Sequence, residues 1–242
     1  MSKIIAILQS NYIPWKGYFD LINSVDEFII YDDVQYTLDD WRNRNKIKTK
    51  QGVQWITIPV SKKGRLRMKI SEVKVADVRW ARKHWQTLSN AYARASHFRE
   101  YADLFMEVYL HRASKLEYLS EINFLFITEI NRLLDIRTRI RPSSEFDLGE
   151  GKTRRLLNIC KQTGASAYLS GPAAKDYLDE DIFHQEGISI EWMNYDNYPV
   201  YKQIHQPFEH GVTILDLIFN EGPESKKYLK SLVDFRYCKI LT

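Results

Sequence analysis

An α/β fold, with a mostly parallel sheet flanked by helices and a helical segment inserted into it, is predicted by three observations. First, Ile4-Ile5-Ala6-Ile7-Leu8 is a short apolar, β-branched run, followed by a helical stretch and a second run at Phe28-Ile29-Ile30-Tyr31, which together make a βαβ unit. Second, strand and helix patterns alternate again late in the chain, with strands at Thr138 to Arg141, Ala165 to Leu169 and Ile188 to Met193. Third, residues between these two regions, about 77–135, carry helical periodicity.

The first strand stops at Gln9-Ser10-Asn11, which are polar turn-formers. Pro14 fixes φ ahead of the next element, and Gly17 allows a backbone or a ligand to come close. Tyr18 to Ile22 begins a helix, and the second strand ends on Asp32 and Asp33. Ligands of open α/β sheets bind outside the carboxyl ends of the strands, so both exits are expected to border a site. The run Trp41-Arg42-Asn43-Arg44-Asn45-Lys46-Ile47-Lys48 then reads as a basic loop in which four cations alternate with amides beside a Trp, suited to holding phosphate. Gln54 to Val60 predicts a strand, Lys62 to Arg65 a turn and Lys69 to Val75 a half-exposed strand.

Asp77 is a plausible N-cap for a helix with apolar positions at Trp80, Ala81, Trp85, Leu88 and Tyr92. Further helices are expected over Phe98 to His111 and from Ser114 to Leu133. His84, His97 and His111 lack metal-like spacing and read as satisfied histidines. Gly149-Glu150-Gly151-Lys152-Thr153 suggests a P-loop, but Phe146 stands where its first Gly would be. Lys152 and Thr153 remain a fair anion seat at a helix start. That helix, Leu156 to Gln162, ends at Gly164, and the following strand exits at Ser170-Gly171, facing the same ligand edge. His205 and His210, in a Pro-containing loop before an apolar helix from Val212 to Phe219, are candidate general bases.

The chain has 242 residues, 44% hydrophobic and 27% charged, with a net charge of +4. That is an ordinary soluble balance, permitting an anionic ligand without requiring one. Two cysteines, Cys160 and Cys238, make neither a disulfide framework nor a zinc cluster, and no chemistry is expected of them. A signal peptide and a bilayer-spanning run are absent from the sequence, so a cytoplasmic protein without membrane insertion is expected. The six Trp and fifteen Tyr suit stacking on sugar or base as well as a large core.

Four motifs, Gln9 to Phe19, Tyr31-Asp32-Asp33-Val34-Gln35-Tyr36, Trp41-Arg42-Asn43-Arg44-Asn45 and Tyr168-Leu169-Ser170-Gly171, resemble the WbqC-like proteins of bacteria over nearly the whole chain. The resemblance implies one domain over 1–242, with a helical insertion at about 77–135. It also implies a role in making cell-surface polysaccharide such as O-antigen, through transfer to an activated amino sugar. The opening strand, turn and helix also resemble HxGH-type nucleotidyltransferases and pantothenate synthetases, of HUP-like Rossmannoid fold. Trp15 and Tyr18 stand where those enzymes carry histidines.

The expected activity is acyl or aminoacyl transfer to the amine of a nucleotide-linked sugar, with Asp32, Asp33, His205 and His210 as candidate bases. Substrate contacts are expected from Gln9, Asn11, Tyr12, Trp15, Lys16, Gly17, Tyr18, Gln35, Tyr36, Trp41, Arg42, Asn43, Arg44 and Asn45, joined by Lys152, Thr153, Ser170 and Gly171. The partners are the nucleotide-activated sugar and an acyl or aminoacyl donor, with no nucleic acid and no metal; the cofactor, the use of ATP and the oligomeric state stay open. The alternatives are an ATP-dependent ligase or nucleotidyltransferase, and a non-catalytic nucleotide-sugar binding protein.

Overall fold

The computed structural model describes residues 2–61 and 67–233. The expected turn at Lys62 to Arg65 and Cys238 lie outside the described residues. Five parallel strands form the main sheet: β1 (Ile4–Leu8), β2 (Glu27–Ile30), β5 (Arg139–Pro142), β6 (Ala167–Ser170) and β7 (Ser189–Trp192), in the order β5-β2-β1-β6-β7. The chain works outward from β1 on one side and then returns to its other side, so a topological switch point falls between β1 and β6.

The period of two along each strand divides the core into two layers. Ala6, Phe28, Ile30 and Leu169 face the larger one, which holds α1 (Lys16–Asn23), α2 (Trp80–Tyr92), α3 (Phe98–Glu107), α4 (Leu119–Leu133) and α7 (Ile214–Glu221). Ile5, Ile7, Ile29, Tyr31 and Tyr168 face the other, which holds α5 (Lys152–Thr163) and α6 (Glu180–Gln185). A sheet covered on both faces explains why its strands read as continuous apolar runs. Among the described residues, no helix is long and apolar enough to cross a membrane.

From Arg44 on, the basic run expected as a loop is instead β3 (Arg44–Thr49), paired antiparallel with β4 (Gly52–Thr57) across the two-residue turn Lys50-Gln51, after which Gly52 takes φ +109. The alternation of cations and amides is the strand's own period. Asn45 and Ile47 turn inward, while Lys46 stands opposite Trp55 on the outer face.

Lys69 to Val75 is not a strand. Ile70–Glu72 is a 3-10 turn, because the Glu72 carboxylate accepts from the Lys69 N–H at 2.9 Å and the Ser71 N–H reaches the Asp32 carbonyl at 3.1 Å. Only isolated bridges flank it, at Gln35–Lys69, Val60–Val75 and Lys74–Tyr118.

The second inserted helix ends at Glu107 and passes into a π-turn, Val108–Arg112, and α4 starts at Leu119 rather than Ser114 because Ala113–Lys115 forms a separate 3-10 turn. Asp77 stands one turn ahead of α2, its Oδ1 accepting from the Arg79 N–H at 3.0 Å. α5 begins at Lys152, a turn before Leu156, and closes on Gly164 in the left-handed region. Its Cys160 is buried, and burial pushes that thiol up to about 12, which makes it a poor nucleophile.

Tyr12 and His84 join the β1 exit to the helical layer. The Tyr12 hydroxyl, with no exposed surface, lies 2.8 Å from both His84 Nδ1 and the Tyr109 hydroxyl. His84 Nε2 donates to the Thr57 carbonyl at 3.1 Å, so a neutral imidazole accepting at Nδ1 satisfies the whole chain of bonds. Burial lowers the His84 pKa to about 4. The unfolded chain protonates this residue near 6.5, so the stabilisation is full above that pH and is lost as pH falls toward 4. Chemical denaturation should show stability declining by up to about 3 kcal/mol between pH 7 and pH 4 on this account. His84→Gln should be less stable at pH 7 and flatter over the same interval. An unchanged pH dependence in that variant would place the acid sensitivity elsewhere.

Candidate functional site

The exits of β1 and β2 are tied together by buried polar groups. The Ser10 N–H donates to Asp32 Oδ1 at 2.8 Å. Asn123, projecting from α4 with no exposed surface, donates its amide to Ser10 Oγ at 3.0 Å and to the Arg42 carbonyl at 2.9 Å. The turn that follows is held by Asn45, whose Nδ2 donates to the carbonyls of Tyr12 and Ile13 at 3.0 and 2.8 Å. Ile13 sits at φ 37, a strained position for a β-branched residue, and this clamp helps to keep it there.

Outside the ends of β2 and β5 lies a cavity of about 570 Å³ lined by Asp32, Asp33, Ser71, Arg112, Phe124 and Ser143, among others. The two carboxylates differ. Asp33 is paired on both oxygens, with Lys69 Nζ at 3.1 Å and with the Ser143 hydroxyl at 2.8 Å. Asp32 is buried, and its Oδ2 has no hydrogen-bond partner among the described residues. Burial raises its pKa against the opposing pull of the Ser10 hydrogen bonds and the Arg42 charge. One oxygen is therefore anchored and the other is buried without a hydrogen-bond partner among the described residues, on a group whose proton affinity is above that of an ordinary carboxylate.

Arg42 is bonded to Asn11, which borders a second cavity, and its charge acts on Asp32 of the first. Its guanidinium donates to Asn11 Oδ1 and, at 3.4 Å, to Gln9 Oε1, with Asp40 at 3.5 Å. The second cavity, about 300 Å³, is bordered by Asn11, Pro14, Trp15, Trp41, Asn45 and His210. Trp41 packs on Trp55 with ring centroids 5.1 Å apart. Arg44 is engaged elsewhere, stacked 4.3 Å from the Trp55 ring and bonded to Asp39 Oδ1 at 3.0 Å, while Lys46 Nζ lies 5.3 Å from Trp55 and 5.8 Å from Trp41.

Lys16 is buried against Tyr198, Tyr201 and Phe208, donates to the Pro199 carbonyl at 2.9 Å, and is lowered to about 8 by that burial. The two candidate histidines do not meet. His210 borders the second cavity, whereas His205 lines a third, of about 530 Å³, where its Nε2 is 2.9 Å from the Ala91 carbonyl.

Other expected contacts are engaged in the fold or stand apart. Tyr12 and Tyr36 are core residues, and Asn43 donates to the Ile58 carbonyl at 2.9 Å. Gln35 is exposed and bridges to Lys69. The Tyr18 hydroxyl donates to the Gln9 carbonyl at 3.0 Å. Ser170 is buried against Tyr168 at 3.2 Å, and Gly171 faces the Tyr195 hydroxyl. Lys152 and Thr153 begin α5, whose Arg155 reaches the Asp33 carbonyl at 3.2 Å. Among the described residues no three His, Cys, Asp or Glu are grouped to hold a metal.

Sequence reasoning passed over Ser10 and Asn123 as residues that hold the carboxylate, and over Phe124, Ser71 and Ser143 as cavity walls. Asn123 alone left a signal, a polar residue beside Ile122, Phe126 and Ile127 on the buried face of α4.

The family model described as the WbqC-like protein family matches residues 9–228. An uncharacterized protein of Mycobacterium tuberculosis is 49% identical over 237 residues, which cover 98% of this chain and 99% of that one. No solved structure matches the chain.

Gly17 was expected to open backbone toward a ligand, and the space above it is instead filled by the Trp15 indole, which a Cβ would overlap. That indole is wedged against Tyr195 and Tyr198 at 5.3 and 5.5 Å. Alanine is favoured over glycine within a helix by about 1 kcal/mol. Gly17→Ala should nonetheless lower the melting temperature and shift the tryptophan fluorescence, since the added methyl would push the indole out of its seat against Tyr195 and Tyr198. A raised melting temperature would mean that the ring yields freely.

Proposed function

This chain belongs to the WbqC-like protein family, and from that premise we propose that it transfers an acyl or aminoacyl group to the amine of a nucleotide-linked amino sugar, in the making of cell-surface polysaccharide such as O-antigen. The observation that carries the reading is Asp32, a buried carboxylate that lines the cavity, with one oxygen held by the Ser10 N–H and the other unpartnered among the described residues. A sugar amine arrives as an ammonium ion and must lose a proton before it can attack. Asp32 offers a negative charge to bind that ammonium and a raised proton affinity with which to deprotonate it.

The freed amine then attacks the carbonyl carbon of the donor, a C–N bond forms, and the bond from carbonyl to leaving group breaks as that group departs. The proton held on Asp32 returns to the leaving group or to water. Around the amine, the hydroxyls of Ser71 and Ser143 suit the sugar's own hydroxyls, and Phe124, 42% exposed, offers its ring an apolar face. Arg42, free of any bidentate carboxylate, suits the diphosphate. The nucleotidyltransferase alternative finds no comparable support, since Trp15 and Tyr18 are packed against Gly17 and Gln9.

Asp32→Asn should lower the transfer rate by about two to four orders of magnitude, with folding intact and the nucleotide portion still bound. In the parent protein the rate should fall as pH drops through the raised Asp32 pKa, since the base must be ionised. Arg42→Met should weaken binding of a nucleotide sugar about tenfold, by loss of a charge-assisted contact. Full turnover by Asp32→Asn would remove it as the base, and tight binding with no turnover of any acyl donor by the parent would make the protein a carrier.

A further inference from the structure

The 300 Å³ cavity has a composition that the amino-sugar reading leaves unused. Its walls include the Trp15 and Trp41 indoles and the Pro14 ring. Each indole is backed from outside the cavity, Trp15 by Gly17, Tyr195 and Tyr198, and Trp41 by Trp55. Rings held in this way stack on a ligand with little further loss of side-chain freedom.

The polar groups are few. The Asn45 amide is committed to Tyr12, Ile13 and the Lys46 N–H. Asn11 accepts from Arg42 through Oδ1, which leaves its Nδ2 without a partner among the described residues. His210 packs edge-on against Phe208 at 4.6 Å, and burial, with help from the Lys16 charge and against the pull of Glu209, lowers its pKa. A saccharide would present more hydroxyls than one amide donor and one imidazole can satisfy, whereas a planar heterocycle presents its faces to indoles and only an edge to polar groups.

At this rim Asp40 lies 3.5 Å from Arg42 and Glu209 accepts from the Gly211 N–H at 2.7 Å, while Lys46 stands over Trp41 and Trp55. Arg42, bonded to Asn11 of this cavity and close enough for its charge to act on Asp32, links the two.

We propose that the Trp15–Trp41 cavity binds the base of a nucleoside diphosphate, so that one ligand lies across both cavities with its phosphates at Arg42. The proposal rests on the nucleotide-linked amino sugar reading and adds to it the subsite for the base. Calorimetric titration of the full chain with uridine diphosphate and guanosine diphosphate, and separately with glucosamine 1-phosphate, tests the two halves apart.

At least one nucleoside diphosphate should bind, Trp41→Ala should weaken it about tenfold or more, and Trp41→Phe should restore it to within about threefold. Glucosamine 1-phosphate should bind Trp41→Ala as it binds the parent and should be weakened by Asp32→Asn. Trp41 is 40% exposed, and equal melting temperatures of parent and variant would confirm that only the site has changed. Unaltered nucleoside diphosphate affinity in Trp41→Ala overturns the proposal. Binding of glucosamine 1-phosphate with no binding of either nucleoside diphosphate overturns the base subsite alone. Binding of none of the three overturns both the subsite and the amino-sugar reading.

Discussion

Everything at the carboxyl edge depends on how Asp32 is held without being neutralised. The Ser10 N–H fixes one oxygen, and Asn123 fixes Ser10 and the Arg42 backbone from the opposite layer. Strand β1, strand β2, helix α4 and the segment leading into β3 thus meet at one buried polar junction. Such a junction is costly unless its members are paired, because a buried polar group without a partner loses its hydration for nothing. Asp32 Oδ2 and Asn123 Oδ1 both lack partners among the described residues, so the junction is satisfied only in part. Unsatisfied groups of this kind are few in folded proteins, and each is met by ordered water, an ion or a ligand or serves a reaction.

The framework of the sheet was legible because it is written in local pattern. Continuous apolar runs marked β1 and β2, Gly164 marked the end of α5, and the polar exits Gln9 to Asn11 and Asp32-Asp33 marked the ligand edge. The hairpin was misread because charge drew attention away from period. Cations at alternate positions from Arg44 to Lys48 look like a phosphate loop, but Arg44 and Lys46 are the outer face of a strand that lays them against Trp55, and Lys48 is buried. Lys69 to Val75 failed in the opposite sense, with a strand-like alternation that arises from a turn capped by Glu72. The junction itself was out of reach, since Ser10 and Asn123 are 113 residues apart and only the packing of α4 brings them together.

The division of labour among titratable groups was equally a matter of three dimensions. Asp32 and Asp33 are neighbours in sequence and unlike in setting, one desolvated with an unpartnered oxygen and the other paired with Lys69 and Ser143. His205 and His210 share a loop but open on different cavities. Trp15 and Gly17 form a self-contained unit in which the glycine exists to seat the indole, so the opening turn contributes a wall and not an approach for phosphate. Family membership places the chain with the WbqC-like proteins over residues 9–228, and three of the motifs that carry the resemblance lie at or just beyond the carboxyl ends of β1, β2 and β6.

A crystal structure with a bound uridine diphosphate amino sugar tests the central claim most directly. On this account the sugar amine lies about 3 Å from Asp32 Oδ2, within hydrogen-bonding range, with the phosphates beside Arg42. A ligand whose amine turns away from Asp32, or one seated in the cavity around His205, would contradict it.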